Sequence, residues 1–190
     1  ERLAPFNPRG SDVAVVLDLM IHDIDLVLTL TRAKVTDVSA AGVGVLTPSI
    51  DIADARISFA NGAIANITAS RISRERTRKL RLFQRNGYMS LDLAAGNGEL
   101  FRLRSDVDMA TLAQTAQPDV AAFVERIPLE APEGDALKLE LESFVAAVRG
   151  EAPVPVTGAD GRDALAVALR IVGDIERSRS AVSAAPIPGA

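Results

Sequence analysis

The chain has 190 residues, 48% of them apolar and 4% aromatic, with a formal net charge of −4 and no cysteine. Roughly two-thirds of the unfolded surface of such a chain can be buried in one core, and the lack of cysteine excludes disulfides, a thiolate nucleophile and Cys-ligated zinc. The acidic balance and scarce aromatics argue against nucleic acid as a partner, and the absence of a long apolar run or a signal-peptide pattern leads to an expected cytoplasmic location with no membrane partner.

The opening ten residues are proline-rich and aperiodic, as a connector would be. Ser11 or Asp12 can cap a helix in which Leu19, Leu26 and Leu30 recur at helical spacing up to about Arg32. The β-branched Val13, Val15 and Val16 weaken its first turn.

From Val35 to Arg104 the period changes to two. Ala53, Ala55, Ile57 and Phe59 alternate with Asp54, Arg56 and Ser58, and beyond Asn61-Gly62 the run Ala63, Ala65, Ile67, Ala69 alternates with Asn66, Thr68 and Ser70. Asn-Gly suits a type I′ turn and recurs at Asn86-Gly87 and Asn97-Gly98, which predicts an antiparallel meander. One face of the sheet should pack on helices. The other is polar with side chains too short to shield it, so it should face a ligand or a second copy of the chain.

The cationic stretch Arg71, Arg74, Arg76, Arg78, Lys79, Arg81 and Arg85 reads either as the solvated side of a strand or as an anion-binding rim for a phosphorylated or carboxylated ligand. Residues 106–119 are weakly patterned, and a loop or irregular helix is expected there. Val120 to Leu129 predicts a further strand. Asp135 to Arg149 predicts an amphipathic helix through Leu137, Leu141, Phe144, Val145 and Val148, stopped by Gly150. A last helix, capped near Thr157 or Asp160, should carry Leu165, Ala168, Leu169, Val172 and Ile175 inward. The fold class expected is α+β, a large, mainly antiparallel sheet with helices on one face.

Chemistry centres on His22, the one histidine, in the run Asp18-Leu19-Met20-Ile21-His22-Asp23-Ile24-Asp25. At about 100° per residue, Asp18, His22, Asp25 and Thr29 fall within roughly 60° of one another on an otherwise apolar helix. A carboxylate one turn from an imidazole can orient it and favour its charged form, as a general acid or base requires. The same stripe also reads as a helix whose polar side meets solvent. A metal site formed by His22 with Asp18 and Asp25 lacks a second ligand cluster, so no metal is expected.

The segment Leu17 to Leu26 resembles the Asp-x-x-x-His-x-x-Asp helix of the glucose-fructose oxidoreductase, inositol dehydrogenase and rhizopine-catabolism family, Gfo/Idh/MocA. The run Pro155-Val156-Thr157-Gly158-Ala159-Asp160-Gly161-Arg162-Asp163-Ala164-Leu165 is similar to that family's signature before its last helix. The resemblance implies that residues 11–190 are the substrate-binding, catalytic and dimerising C-terminal domain, and that residues 1–10 are the linker from a missing Rossmann domain. It further implies an NAD(P)-dependent sugar oxidoreductase with His22 as acid/base and Asp18 orienting it or touching substrate. The dinucleotide fingerprint is not present: Gly42-Val43-Gly44 lacks a third glycine and lies in a strand-like run, so no cofactor-binding residue is assigned, and NAD or NADP should be bound mainly by the other domain.

Pro8-Arg9-Gly10 and Ala69-Ser70-Arg71-Ile72-Ser73 resemble a subgroup that oxidises the 3-hydroxyl of a nucleotide sugar, which makes Arg9, Asp25 and Arg71 candidate substrate-binding residues. The substrate implied is a sugar or nucleotide sugar, and the assembly a homo-oligomer formed through the open sheet face. The alternative is a non-catalytic binding or oligomerisation module with the same fold.

Overall fold

The computed structural model describes residues 1–104, 123–132 and 134–184, which fall into two compact units. The first joins Glu1–Arg76 to the chain from Asp135 onward, and the second is Thr77–Gly134. Residues 106–119, and the first part of the strand expected from Val120, lie outside the described residues.

In the first unit β1 (Arg2–Leu3), β2 (Val35–Val43), β3 (Ile52–Phe59) and β4 (Ile64–Ser70) form a sheet in the order β2-β3-β4-β1. The pairs β2/β3 and β3/β4 are antiparallel, while β1 runs parallel to β4. Strict alternation decides the faces. Ala53, Ala55, Ile57 and Phe59 are buried while Asp54 and Arg56 are exposed, as a sheet with one covered face requires. Asn66 is exposed and Thr68 half-buried on the open face, but Ser70, expected beside them, is buried where its carbonyl accepts the Ala4 N–H at 2.8 Å.

A π-helical turn at Val16–Met20 runs directly into α1 (Ile21–Thr31), α2 spans Ala136–Val148, and α3 spans Gly158–Ala184. The π-helical turn, α1 and α3 cover the buried face. Val15, Val16, Met20 and Ile24 meet Ala164, Val167, Ala168, Ile171 and Ile175 of α3 and the inward residues of β3 and β4 in one core. Each large aliphatic side chain fully removed from water there contributes about 1.5–3 kcal/mol.

The inward face of α3 differs from the expected one. Ala168 and Ile175 are buried and Val172 half-buried, but Leu165 and Leu169 point to solvent, at 44% and 54% exposed, while Ala164 and Val167 take the inward positions. Small residues permit a closer approach of α3 to its neighbours, which side-chain size alone does not reveal. The cap is as expected: the Asp160 N–H donates to Thr157 Oγ1, and Thr157 donates its N–H and hydroxyl to Asp160 Oδ2. Those bonds, first from the Thr157 hydroxyl and then from its backbone, hold the Asp160 carboxyl below its ordinary value.

The helix α2 also has its expected cap and stop. Asp135 accepts the Lys138 N–H at 2.9 Å, and Gly150 has a φ of 74°. Yet it buries no residue. Leu137, Leu141, Phe144 and Val148 are all exposed, and an apolar groove of about 440 Å³ runs between this helix and residues 154–156.

The second unit is the meander β5 (Thr77–Gln84), β6 (Gly87–Asp92), β7 (Asn97–Leu103) and β8 (Val124–Glu130), antiparallel throughout. Phe83, Tyr88 and Phe101 stack across three adjacent strands with ring centroids 4.9 and 5.8 Å apart. Arg102 pairs with Glu125, and Arg126 with Glu99, across β7 and β8.

Two of the three hairpins fall at their Asn-Gly dipeptides, but neither is a type I′ turn, and the third dipeptide lies beyond its turn. Asn61 lacks positive φ, and Gly62, at φ 82°, closes a three-residue loop after a turn in which its N–H donates to the Phe59 carbonyl. At Asn86-Gly87 neither residue has positive φ. Asn97-Gly98 lies inside β7, the turn being residues 93–96, where Asp92 accepts the N–H groups of Ala94 and Ala95.

Candidate active site

The helix that carries Asp18 and His22 starts without a side-chain cap, so neither Ser11 nor Asp12 serves as one. Its entry is held instead by the sheet's loops. The Val15 N–H donates to the Ile50 carbonyl at 2.8 Å, and Ser49 Oγ to the Asp12 carbonyl at 3.2 Å. The first turn is π-helical: the Ile21 N–H donates to the Val16 carbonyl, five residues back. Such turns recur at functional sites. Side chains four residues apart across it, Asp18 and His22, do not keep α-helical spacing, and no hydrogen bond joins them among the described residues.

The polar stripe therefore divides. Asp18, half-buried, faces the turn at Gly10: a Cβ on Gly10 would sit 3.4 Å from both of its carboxylate oxygens, and Gly10 holds φ 79°, where a side chain is strained. Arg9, on the same turn, is exposed, as is His22 one helical step beyond Asp18. Asp25 and Thr29 line a cleft of about 700 Å³ between the end of α1 and the start of α3, together with Arg32, Lys34 and Arg170. Among the described residues no three acidic or histidine side chains converge as a metal site would need.

Arg71 belongs to the Gly10 turn, not to a solvated strand face. It is 3% exposed, and its guanidinium donates to the Gly10 carbonyl at 2.7 Å and the Val13 carbonyl at 2.5 Å. Its Nε lies 3.7 Å from Asp51 Oδ1. The other cations of that stretch within the described residues, Arg74, Arg76, Arg81 and Arg85 among them, are exposed.

Sequence patterning missed Asp51 altogether. It has no accessible surface, and its Oδ2 accepts the backbone N–H groups of Val45, Leu46 and Thr47 at 2.8–2.9 Å, while Oδ1 accepts the Thr47 hydroxyl at 2.7 Å. Burial would raise its carboxyl, but the Thr47 hydroxyl and the three N–H donors outweigh that and hold it at about 2. The missed signal is a lone acid before an alternating strand, following a Gly-containing loop. Asp23 was likewise passed over: it is buried and paired with Arg2.

The described residues offer no cradle for a dinucleotide. Gly42 lies within β2, where an added Cβ would meet Ile50 and Ile175, and Gly44 opens the loop that wraps Asp51, so neither precedes a helix N-terminus.

Residues 6–90 match the model of the GFO/IDH/MocA C-terminal domain. Over 171 residues, 90% of the chain, it is 38% identical to the UDP-N-acetylglucosamine 3-dehydrogenase of Acidithiobacillus ferrooxidans, of which it spans 51%. The solved structure of that enzyme, GnnA, superposes with a TM-score of 0.79 at 36% identity, over 93% of this chain and 53% of the other. An NAD-binding protein from Listeria innocua, 18% identical, shares the fold with a TM-score of 0.66 over 87% of this chain and 50% of its own. The chain thus spans about half the length of the relatives it matches.

Proposed function

We propose that this chain is the substrate-binding half of an NAD(P)-dependent dehydrogenase that oxidises a hydroxyl of a nucleotide sugar, with His22 as the acid/base group and Asp18 beside it. The observation that carries this reading is the 38% identity to a UDP-N-acetylglucosamine 3-dehydrogenase across nine-tenths of the chain, the half that contains the Asp18–His22 helix. His22 is exposed on α1, so its imidazole is open to a substrate hydroxyl and can take its proton as hydride leaves the same carbon. In this reading Arg9, exposed on the Gly10 turn, binds the phosphates, and Asp25, in the cleft at the end of α1, accepts from a sugar hydroxyl. The hydride acceptor, NAD or NADP, is held in this reading by a Rossmann domain outside these residues.

The test is turnover of UDP-N-acetylglucosamine by the full-length enzyme with NAD+ or NADP+, followed as reduced nicotinamide. Production of the 3-keto sugar supports the reading, and turnover of other sugars alone overturns the substrate class. The reading also includes a second copy of the chain against the open sheet face, where Asp54, Arg56 and Asn66 stand exposed in adjacent strands. Sedimentation of the full-length enzyme as a monomer at about micromolar concentration would count against that part.

A further inference from the structure

The buried pair Asp51 and Arg71 is a charged unit that the proposed chemistry does not use. Arg71 is 3% exposed and Asp51 fully enclosed. Isolated charges in such surroundings are costly, and a pair is retained without penalty only where its remaining donors and acceptors are satisfied. Here each partner is turned outward to backbone, and the Arg71 Nε, 3.7 Å from Asp51 Oδ1, is left without a hydrogen-bond partner. Asp51 gathers three consecutive N–H groups of the loop that follows β2, and Arg71 spends its two terminal nitrogens on the carbonyls of Gly10 and Val13. The planar fork of a guanidinium can reach two carbonyls at once, which a lysine ammonium cannot do in the same geometry.

Those two carbonyls belong to the turn that delivers the chain into the Asp18 helix, and Gly10 of that turn lies against the Asp18 carboxylate. The helix start lacks a side-chain cap and opens with a π-helical turn; its first residues are held by backbone bonds, the Leu17 and Asp18 N–H groups donating to the Ala14 carbonyl, and by the buried Val15 and Val16. The Gly10 turn that lies against the Asp18 carboxylate is held separately, by a chain of contacts that runs from the loop at Val45 to Thr47 through Asp51 and Arg71 to Gly10.

We propose that Asp51 and Arg71 are positioning residues of the active site: together they clamp the Gly10–Val13 turn, and through it hold Asp18 in register with His22. The inference rests on the reading of His22 and Asp18 given above. It assigns to Arg71 a role through backbone carbonyls and not through substrate.

The test compares four variants of the full-length enzyme: Arg71→Lys, Arg71→Met, Gly10→Ala and His22→Asn. Arg71→Lys keeps a cation beside Asp51 but loses the two-carbonyl clamp. It should melt closer to the parent than Arg71→Met, yet lose kcat on the order of ten- to a hundredfold with KM for the sugar nearly unchanged. Gly10→Ala leaves the buried pair intact, strains the turn at φ 79° and sets a methyl in contact with the Asp18 carboxylate, so it should show the same loss in kcat, and it keeps the question answerable if the Arg71 variants fold poorly. A raised KM with normal kcat in Arg71→Lys would make Arg71 a substrate contact and overturn the proposal. A lowered melting point with both constants normal would make the pair purely structural, which also overturns it. If His22→Asn turns over normally, the site reading fails and this inference with it; if His22→Asn is impaired while Arg71→Lys and Gly10→Ala are not, the inference alone is wrong.

Discussion

Arg2 grips Asp23 from β1, its Nε 3.2 and 3.3 Å from the two carboxylate oxygens and its terminal nitrogen 2.8 Å from one of them. Both side chains are nearly enclosed, 14% and 12% exposed, so the pair fastens a two-residue strand to the first turn of α1. A hydrogen-bonded pair with this little water contributes more than a surface ion pair. Asp23→Ala should destabilise the chain by about 2 kcal/mol, read by urea unfolding, because it leaves the guanidinium without its partner. A change below about 0.5 kcal/mol would place the pair with ordinary surface bridges.

Acid should loosen the molecule through Asp51. Its carboxyl titrates at about 2 when folded and near 3.8 when unfolded, so the unfolded chain takes up its proton first as pH falls. The stabilisation, about 2 kcal/mol, is complete above roughly pH 4 and is lost between there and pH 2. Thr47→Ala removes one of the bonds that lower the carboxyl, so denaturation midpoints measured from pH 6 to 2 should fall less steeply for this variant than for the parent. Parallel curves would show that other carboxylates govern the acid transition.

Along α3, truncation should separate the two faces. Ile171→Ala opens a hole in the core and should cost about 2–5 kcal/mol. Leu165→Ala and Leu169→Ala, on the solvent side, should each stay within about 0.5 kcal/mol in the same unfolding assay. Equal losses would mean that the expected inward face was the true one.

Replacing His22 by Asn in the full-length enzyme should lower turnover by roughly a hundredfold or more while leaving the melting temperature near the parent's, since the residue is exposed. Asp18→Asn keeps the hydrogen-bonding shape and removes only charge, so its effect should be smaller and appear chiefly in the pH profile. Near-normal turnover of His22→Asn would remove the acid/base assignment.

What patterning made legible was the run of elements. Period-two alternation placed the strands of the first unit and their buried face, and a single histidine one helical step from an acid marked the candidate site. What it left hidden depends on contacts far apart in the chain. Arg71 meets Gly10 and Val13 across 61 and 58 residues, and its neighbours in sequence are exposed cations that suggest a solvated strand. Asp51 is satisfied almost entirely by backbone, which carries no side-chain signature. The turn types failed for a smaller reason: Asn-Gly marks a reversal, but the residue that takes positive φ is settled by the strand register, and at β6/β7 that residue is Gly96. The α3 face was misjudged because alanine at 164 and 168 weighs little in any hydrophobic pattern, although both are enclosed.

The π-helical turn also bears on how this segment tolerates insertion and deletion. Residues 16–20 hold one residue more than α-helical hydrogen bonding would accommodate. Loss of Val16 or Leu17 would let the helix revert to ordinary winding and rotate everything before the cut by about 100° relative to α1. The Gly10 turn would then present itself to a different side of the helix, with Asp18 and His22 both still in the sequence. In this stretch the number of residues constrains descent as tightly as their identity, and a homologue with the same motif but one residue fewer ahead of it would carry the letters of the site without its arrangement.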